Sequence, residues 1–125
     1  MRELTQAEEK VMQILWELKE AFVRDILKEF EAEKDKAPSY TTVSTVIRVL
    51  ETKGFVDHKV YGNTHQYFPI ISKDEYREFA ASSILEKYFG GSVGKLVSFF
   101  AKKEKVDIQD LDEMINLVKQ KKTDK

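Results

Sequence analysis

Apolar residues recur at helical spacing over most of the chain. Ala7, Val11, Ile14, Leu15 and Leu18 share one face, widened by Met12 and Trp16, and predict a first helix over about residues 6–19. Thr5 with Glu8 three residues later is a capping box, in which each side chain satisfies a backbone N–H that a helix start leaves unpaired. Val23, Ile26, Leu27 and Phe30 repeat at 0, +3, +4, +7 and define a short second helix. Residues 31–36 have no apolar face and read as a polar connection closed by Ala37-Pro38. Ser39 then caps a third helix that carries Val43, Val46, Ile47 and Leu50 at the same spacing. Lys53-Gly54 ends it, with a cation in the last turn and a glycine free to turn left-handed.

The pattern then changes. Residues 55–61 and 64–70 are rich in aromatic and β-branched side chains, and Gly62-Asn63 between them favours a tight hairpin. Pro69 places the end of the second strand at an edge or exit. Helical spacing returns behind a second capping box, Ser72 with Glu75. Tyr76, Phe79, Ala80, Leu85 and Phe89 supply its apolar side until Gly90-Gly91 breaks it. Ser92 caps a fifth helix bearing Val93, Leu96, Val97 and Phe100. Asp107 opens a sixth, with Ile108, Leu111, Ile115 and Val118 as its stripe. The expected fold is mainly α (α+β). A winged helix-turn-helix domain occupies residues 1–71 and a helical dimerisation region residues 72–125, because three short helices followed by a hairpin is the order of a winged helix.

Composition narrows the function. The chain of 125 residues carries 21 basic and 22 acidic side chains, so any nucleic-acid binding must come from local charge rather than from the overall field. Residues 1–38 hold 7 basic and 10 acidic groups, residues 39–68 hold 3 and 2, and residues 69–125 hold 11 and 10. The third helix and the hairpin, poor in acid, therefore form the expected phosphate-facing surface. Absence of cysteine rules out disulfides, thiolate metal sites and a cysteine nucleophile. The first residues, Met1-Arg2-Glu3-Leu4-Thr5, have no apolar signal core, and no stretch nears the length of a membrane span. A soluble cytoplasmic protein without membrane insertion is expected.

The exposed face of the third helix carries the strongest functional signal. On a wheel of about 100° per residue, Thr41, Thr45, Arg48 and Thr52 fall opposite the apolar stripe, with Ser44 on the flank. A merely solvated face would more often carry Lys and Glu, since Thr and Ser lower helix propensity. A groove-entering helix, by contrast, needs hydroxyls for base edges and phosphates, a methyl for thymine, and an arginine. Arg48 is the only cation on this face. His58 and His65 could be drawn together by the hairpin, but with no carboxylate or cysteine at ligand spacing they read as surface histidines, with no metal and no cofactor. There is no glycine-rich phosphate loop and no nucleophile-plus-base arrangement, so the chain does not read as an enzyme.

Leu4-Thr5-Gln6-Ala7-Glu8, Ile14-Leu15-Trp16, Lys53-Gly54-Phe55-Val56-Asp57-His58-Lys59, Gln66-Tyr67-Phe68 and Gly91-Ser92 resemble the penicillinase-repressor family (BlaI/MecI/CopY type), in the same order and over nearly the whole chain. The resemblance implies a homodimeric winged-helix repressor of β-lactam-resistance genes on a palindromic double-stranded DNA operator. It places the reading surface on Tyr40, Thr41, Thr42, Ser44, Thr45 and Arg48. The wing falls at Tyr61-Gly62-Asn63-Thr64, and Lys59 is its phosphate anchor. Thr41 and Ser44 are neutral where relatives often carry basic residues. The copper-sensing branch is disfavoured, since its C-terminal cysteine cluster is missing.

The C-terminal helices would form the dimer. Tyr76, Phe79, Leu96, Phe100, Leu111 and Ile115 are expected in the interface, because aromatics in this region exceed what a short helical appendage can hide on itself. In the β-lactam-responsive branch a membrane sensor-protease system triggers cleavage in this part of the repressor, and the matching bond here is Phe99-Phe100. Two other readings stay open at the level of sequence. One is a winged-helix module that docks on a protein through the third helix; the other is a regulator that binds a small effector directly.

Overall fold

The computed structural model describes residues 1–32, 37–103, 109–110, 112–113 and 116. Its elements are α1 (Gln6–Leu18), α2 (Val23–Ala32), α3 (Tyr40–Thr52), β1 (Val56–Tyr61), β2 (Thr64–Pro69), α4 (Lys73–Phe89) and α5 (Val93–Lys102). The sixth-helix stripe Ile108, Leu111, Ile115 and Val118 lies outside the described residues. No described helix is long and apolar enough to cross a membrane.

Local chemistry sets most helix starts. In the first capping box the Thr5 N–H donates to Glu8 at 2.9 Å and the Glu8 N–H donates to the Thr5 hydroxyl oxygen at 3.2 Å. Ser72 and Glu75 repeat the arrangement at 3.1 and 3.0 Å before α4. The Ser39 oxygen accepts from the Thr42 N–H and the Ser92 oxygen from the Lys95 N–H, which starts α3 and α5. The start of α2 is held from inside the helix, where Asp25 accepts the Phe22 N–H at 2.9 Å.

The two strands pair antiparallel, from Val56 opposite Pro69 to Tyr61 opposite Thr64, and Gly62 makes the turn at φ 58°. A third short edge completes this sheet. The chain leaves α1 through Lys19 at φ 72°, and Ala21 then exchanges both backbone hydrogen bonds with Tyr67, at 2.9 and 2.8 Å. The wing is thereby tied to the segment between α1 and α2.

Two compact units divide the chain, residues 1–80 and residues 81–125. The first has a closed core. Met12, Leu15, Ile26, Ile47 and Leu50 are fully covered, joined by Val11, Val43, Phe55, Val56 and Tyr67. This unit runs on past residue 71 to include the first half of α4, and the reason is Tyr76. Expected in a dimer interface, Tyr76 is instead a core residue of the first unit. Its ring packs 5.7 Å from Phe55 and 6.0 Å from Trp16, and its hydroxyl accepts the Leu4 N–H at 3.1 Å. Phe79 follows it, half-buried against the same core. Trp16 adds a further tie by donating its indole N–H to the Ile71 carbonyl at 2.9 Å.

Among the described residues of the second unit the side chains stay open. No residue of α5 is fully buried. Leu96 and Phe100 are half-buried, Phe99 is exposed, and the rings of Phe89 and Phe99 meet edge to face at 5.7 Å. Ile84 and Tyr88 of α4 are exposed as well. Gly90 and Gly91, both at positive φ, make the break between the two helices.

Candidate nucleic-acid interface

One open groove of about 830 Å³ brings together polar side chains of α2, α3 and the wing. Tyr40, Ser44 and Arg48 line it at successive turns of α3, facing Asn63, Thr64 and His65 of the wing. The start of α2 forms the remaining wall, with Arg24 and Lys28 exposed one turn apart. Arg48 is therefore not the only cation of this surface. Arg24 and Lys28 join it because α2 packs across α3, a tertiary fact that the spacing of either helix alone does not contain. Asp25, the carboxylate of the groove lining, accepts the Phe22 N–H, and the three exposed cations outnumber it.

The hydroxyls of α3 are pre-arranged. Thr45 donates to the Thr41 carbonyl at 2.9 Å and Thr52 donates to the Arg48 carbonyl at 3.1 Å. Hydroxyls so used keep their oxygen lone pairs for a donor and their methyls for apolar contact. The Arg48 Nε donates to the Ser44 carbonyl at 3.3 Å, which leaves the terminal guanidinium nitrogens available. Thr41 and Thr45 are exposed beside the groove. Thr42 is placed differently: its hydroxyl lies 2.9 Å from that of Ser39, and it lines a separate apolar cleft with Gln6, Lys10 and Val46.

On the hairpin the register separates the expected residues. His58, His65 and Tyr67 share one face of the ribbon, and Lys59 stands on the other, with its ammonium 5.8 Å from the Phe68 ring centre. Lys59 is thus on the face turned away from the groove-lining His65 and Tyr67. Tyr61 packs edge-on against Phe22 at 5.9 Å, bracing the wing on the start of α2. At the groove floor, burial pushes the Tyr67 phenol above its ordinary value. The charge of Glu51 adds to this, Arg48 opposes it, and Tyr40 adds a smaller push upward. The phenol is accordingly neutral and acts as a packed support.

An ionic contact fixes the far end of α3. Lys53 Nζ donates to Glu8 Oε1 at 2.7 Å, and Glu8 is 5% exposed, so one carboxylate serves both the α1 capping box and the end of α3. Burial alone would raise the Glu8 pKa. The Lys53 hydrogen bond and charge, with the Thr5 N–H and hydroxyl, outweigh it and hold the carboxyl below its ordinary value.

The histidines need a correction. The rings of His58 and His65 stack at 4.2 Å and 10°, and a carboxylate does complete the neighbourhood: His58 Nδ1 is paired with Glu51, and Asp57 lies beside them. Glu51 is on α3, so only the turn through Gly54 brings it against the strand.

Comparison with known proteins agrees with this architecture. The family model described as Penicillinase repressor matches residues 4–120. The methicillin resistance regulatory protein MecI of Staphylococcus aureus is 29% identical over 119 residues, covering 95% of each chain. A penicillinase repressor of Staphylococcus aureus is 30% identical over 116 residues, covering 93% of this chain and 90% of the relative. Among solved structures, the DNA-binding domain of the repressor BlaI superposes with a TM-score of 0.51 at 25% identity. It covers 61% of this chain and 94% of that domain.

Proposed function

The chain belongs to the penicillinase repressor family, and we propose that it represses transcription as a homodimer, each copy laying α3 in one major-groove half-site of a palindromic operator. The observation that carries this reading is the groove in which Arg48 and Ser44 of α3, Asn63 of the wing and Arg24 and Lys28 of α2 converge. Short hydroxyl and guanidinium groups on α3 suit base edges. Cations on the neighbouring helix suit the flanking phosphates, which position a reader without specifying sequence. Two such surfaces related by a two-fold axis read half-sites about 34–36 Å apart, or a multiple of that.

Gel shift with an operator fragment and an unrelated fragment, each at two salt concentrations, tests the division of labour. Arg48→Ala weakens the operator by about 1–3 kcal/mol and leaves the unrelated fragment little changed. Arg24→Ala and Lys28→Ala weaken both fragments alike and flatten the salt dependence. Unchanged operator affinity in Arg48→Ala rejects α3 as the reader and favours a protein-docking module.

The second unit supports the dimer reading, since α5 offers Leu96, Phe99 and Phe100 with no fully buried neighbour on the same helix. Leu111 and Ile115, also expected there, lie outside the described residues. Release from the operator follows from cleavage at Phe99-Phe100 by a sensor-protease system. Both residues lie within α5, so the bond becomes accessible only when that helix opens. Mass spectrometry of the protein from induced cells checks this step, and an intact chain during full derepression rejects it.

A further inference from the structure

Three ligand-bearing side chains meet where α3 ends and the wing begins. One donor atom each from Glu51, Asp57 and His58 lies within 4.8 Å of the other two. Strand geometry would send Asp57 and His58 to opposite faces of the ribbon. They come together because the Asp57 carboxylate turns back to accept the N–H of His58 at 2.8 Å, which leaves its second oxygen unused. Glu51 reaches the cluster from the last turn of α3 and meets His58 Nδ1 directly. His65 stacks flat on the His58 ring and fixes its plane. Glu51 and His58 are half-buried, while Asp57 is exposed and leaves the cluster open to solvent.

We propose that Glu51, Asp57 and His58 form a binding site for a first-row divalent cation, with Zn²⁺ as the best match. Two carboxylates and one imidazole are a donor set for Zn²⁺ and its neighbours; Mg²⁺ and Ca²⁺ prefer oxygen ligands throughout. Three protein ligands leave a fourth position for water. The ion links α3 to β1, so the end of the reading helix and the root of the wing become joined by coordination as well as by packing. The site neutralises carboxylate charge on the helix that carries Arg48, three residues from Glu51.

Calorimetric titration of the full chain with ZnCl₂ tests the proposal, after dialysis against a chelator and with Mg²⁺ present in excess. One ion per chain is expected, and saturation raises the melting temperature by about 10 °C at a hundredfold excess over Kd. His58→Gln and Glu51→Gln should each weaken binding by at least about tenfold. Asp57→Asn, at an exposed position, should do the same with an unchanged circular dichroism spectrum. No saturable uptake by the wild-type chain overturns the proposal. So does uptake that Asp57→Asn and His58→Gln leave unchanged, which would put the ion elsewhere, or displacement by Mg²⁺. DNA binding in the presence of chelator is read separately, and its failure would count against the repressor reading alone.

Discussion

Residues 1–80 and residues 81–125 solve the burial problem in different ways. The first unit closes a core from three helices, a hairpin and the start of α4, and Met12, Leu15, Ile26, Ile47 and Leu50 are withdrawn from water completely. The second carries apolar side chains at the same helical spacing, yet α5 has no fully buried residue. Equal periodicity thus has unequal outcomes. A stripe is buried only where a second surface of the same chain returns to cover it, as α2, the wing and Tyr76 do for the first unit. An amphipathic helix with no fully buried residue is suited to the partner copy proposed above.

The sharpest way to break this contrast is truncation to the core. Ile47→Ala removes a fully buried side chain and should cost about 2–5 kcal/mol in urea unfolding of the full chain. Phe99→Ala, at a position 47% exposed, should change the unfolding of the first unit little. Comparable losses in the two variants would remove the distinction. The reverse asymmetry belongs to association: Leu96→Asp together with Phe100→Ala should weaken the dimer by about 2 kcal/mol or more in sedimentation equilibrium while the first unit stays folded. A variant pair that sediments like the wild type would move the interface off α5.

Acid sharpens the comparison from within the first unit. The Glu8 pKa is lowered by folding, so its contribution is full above the ordinary glutamate value of 4.5 and is lost as the pH falls through the lower folded value. Glu8→Gln should remove about 1–3 kcal/mol at neutral pH, and its stability curve should be flatter in acid than that of the wild type. Equal acid slopes would show that Glu8 does not couple α1 to α3. The smallest effect is expected at Lys19, whose φ of 72° is costly for a side chain bearing a Cβ. Lys19→Gly should stabilise by about 1 kcal/mol in the same urea assay, and no gain would mean that the turn relaxes at no cost.

Much of the fold could be read from local chemistry, because caps and turns act over three or four residues. Thr5 with Glu8, Ser39, Ser72 with Glu75, Ser92, Gly54 and Gly62 mark real boundaries for this reason. The apolar stripe of α3 was legible too, and with it the outward positions of Thr41, Thr45 and Arg48. Periodicity says which face of a helix is apolar but not which neighbour covers it. Tyr76 therefore looked like an interface residue, although it packs on Trp16 and Phe55. Arg24 and Lys28 were ordinary surface cations until the crossing of α2 over α3 placed them in the groove. The carboxylates beside His58 were hidden differently, since Asp57 reaches it only by folding back on the strand and Glu51 only through the turn at Gly54.

The hydrogen bond from Leu4 to Tyr76 joins positions 72 residues apart and so bears on the order of events during synthesis. A nascent chain emerging from the ribosome exposes α1, α2, α3 and the hairpin before it exposes the residue that seals them. Until Tyr76 is outside the exit tunnel, Phe55 and Trp16 lack their covering ring. Once it emerges, the N-terminal unit can close while α5 is still inside the tunnel. In the homodimer proposed above, each copy would then hold a finished DNA reader before it has the surface on which to pair, and assembly would join two folded bodies rather than two entangled chains.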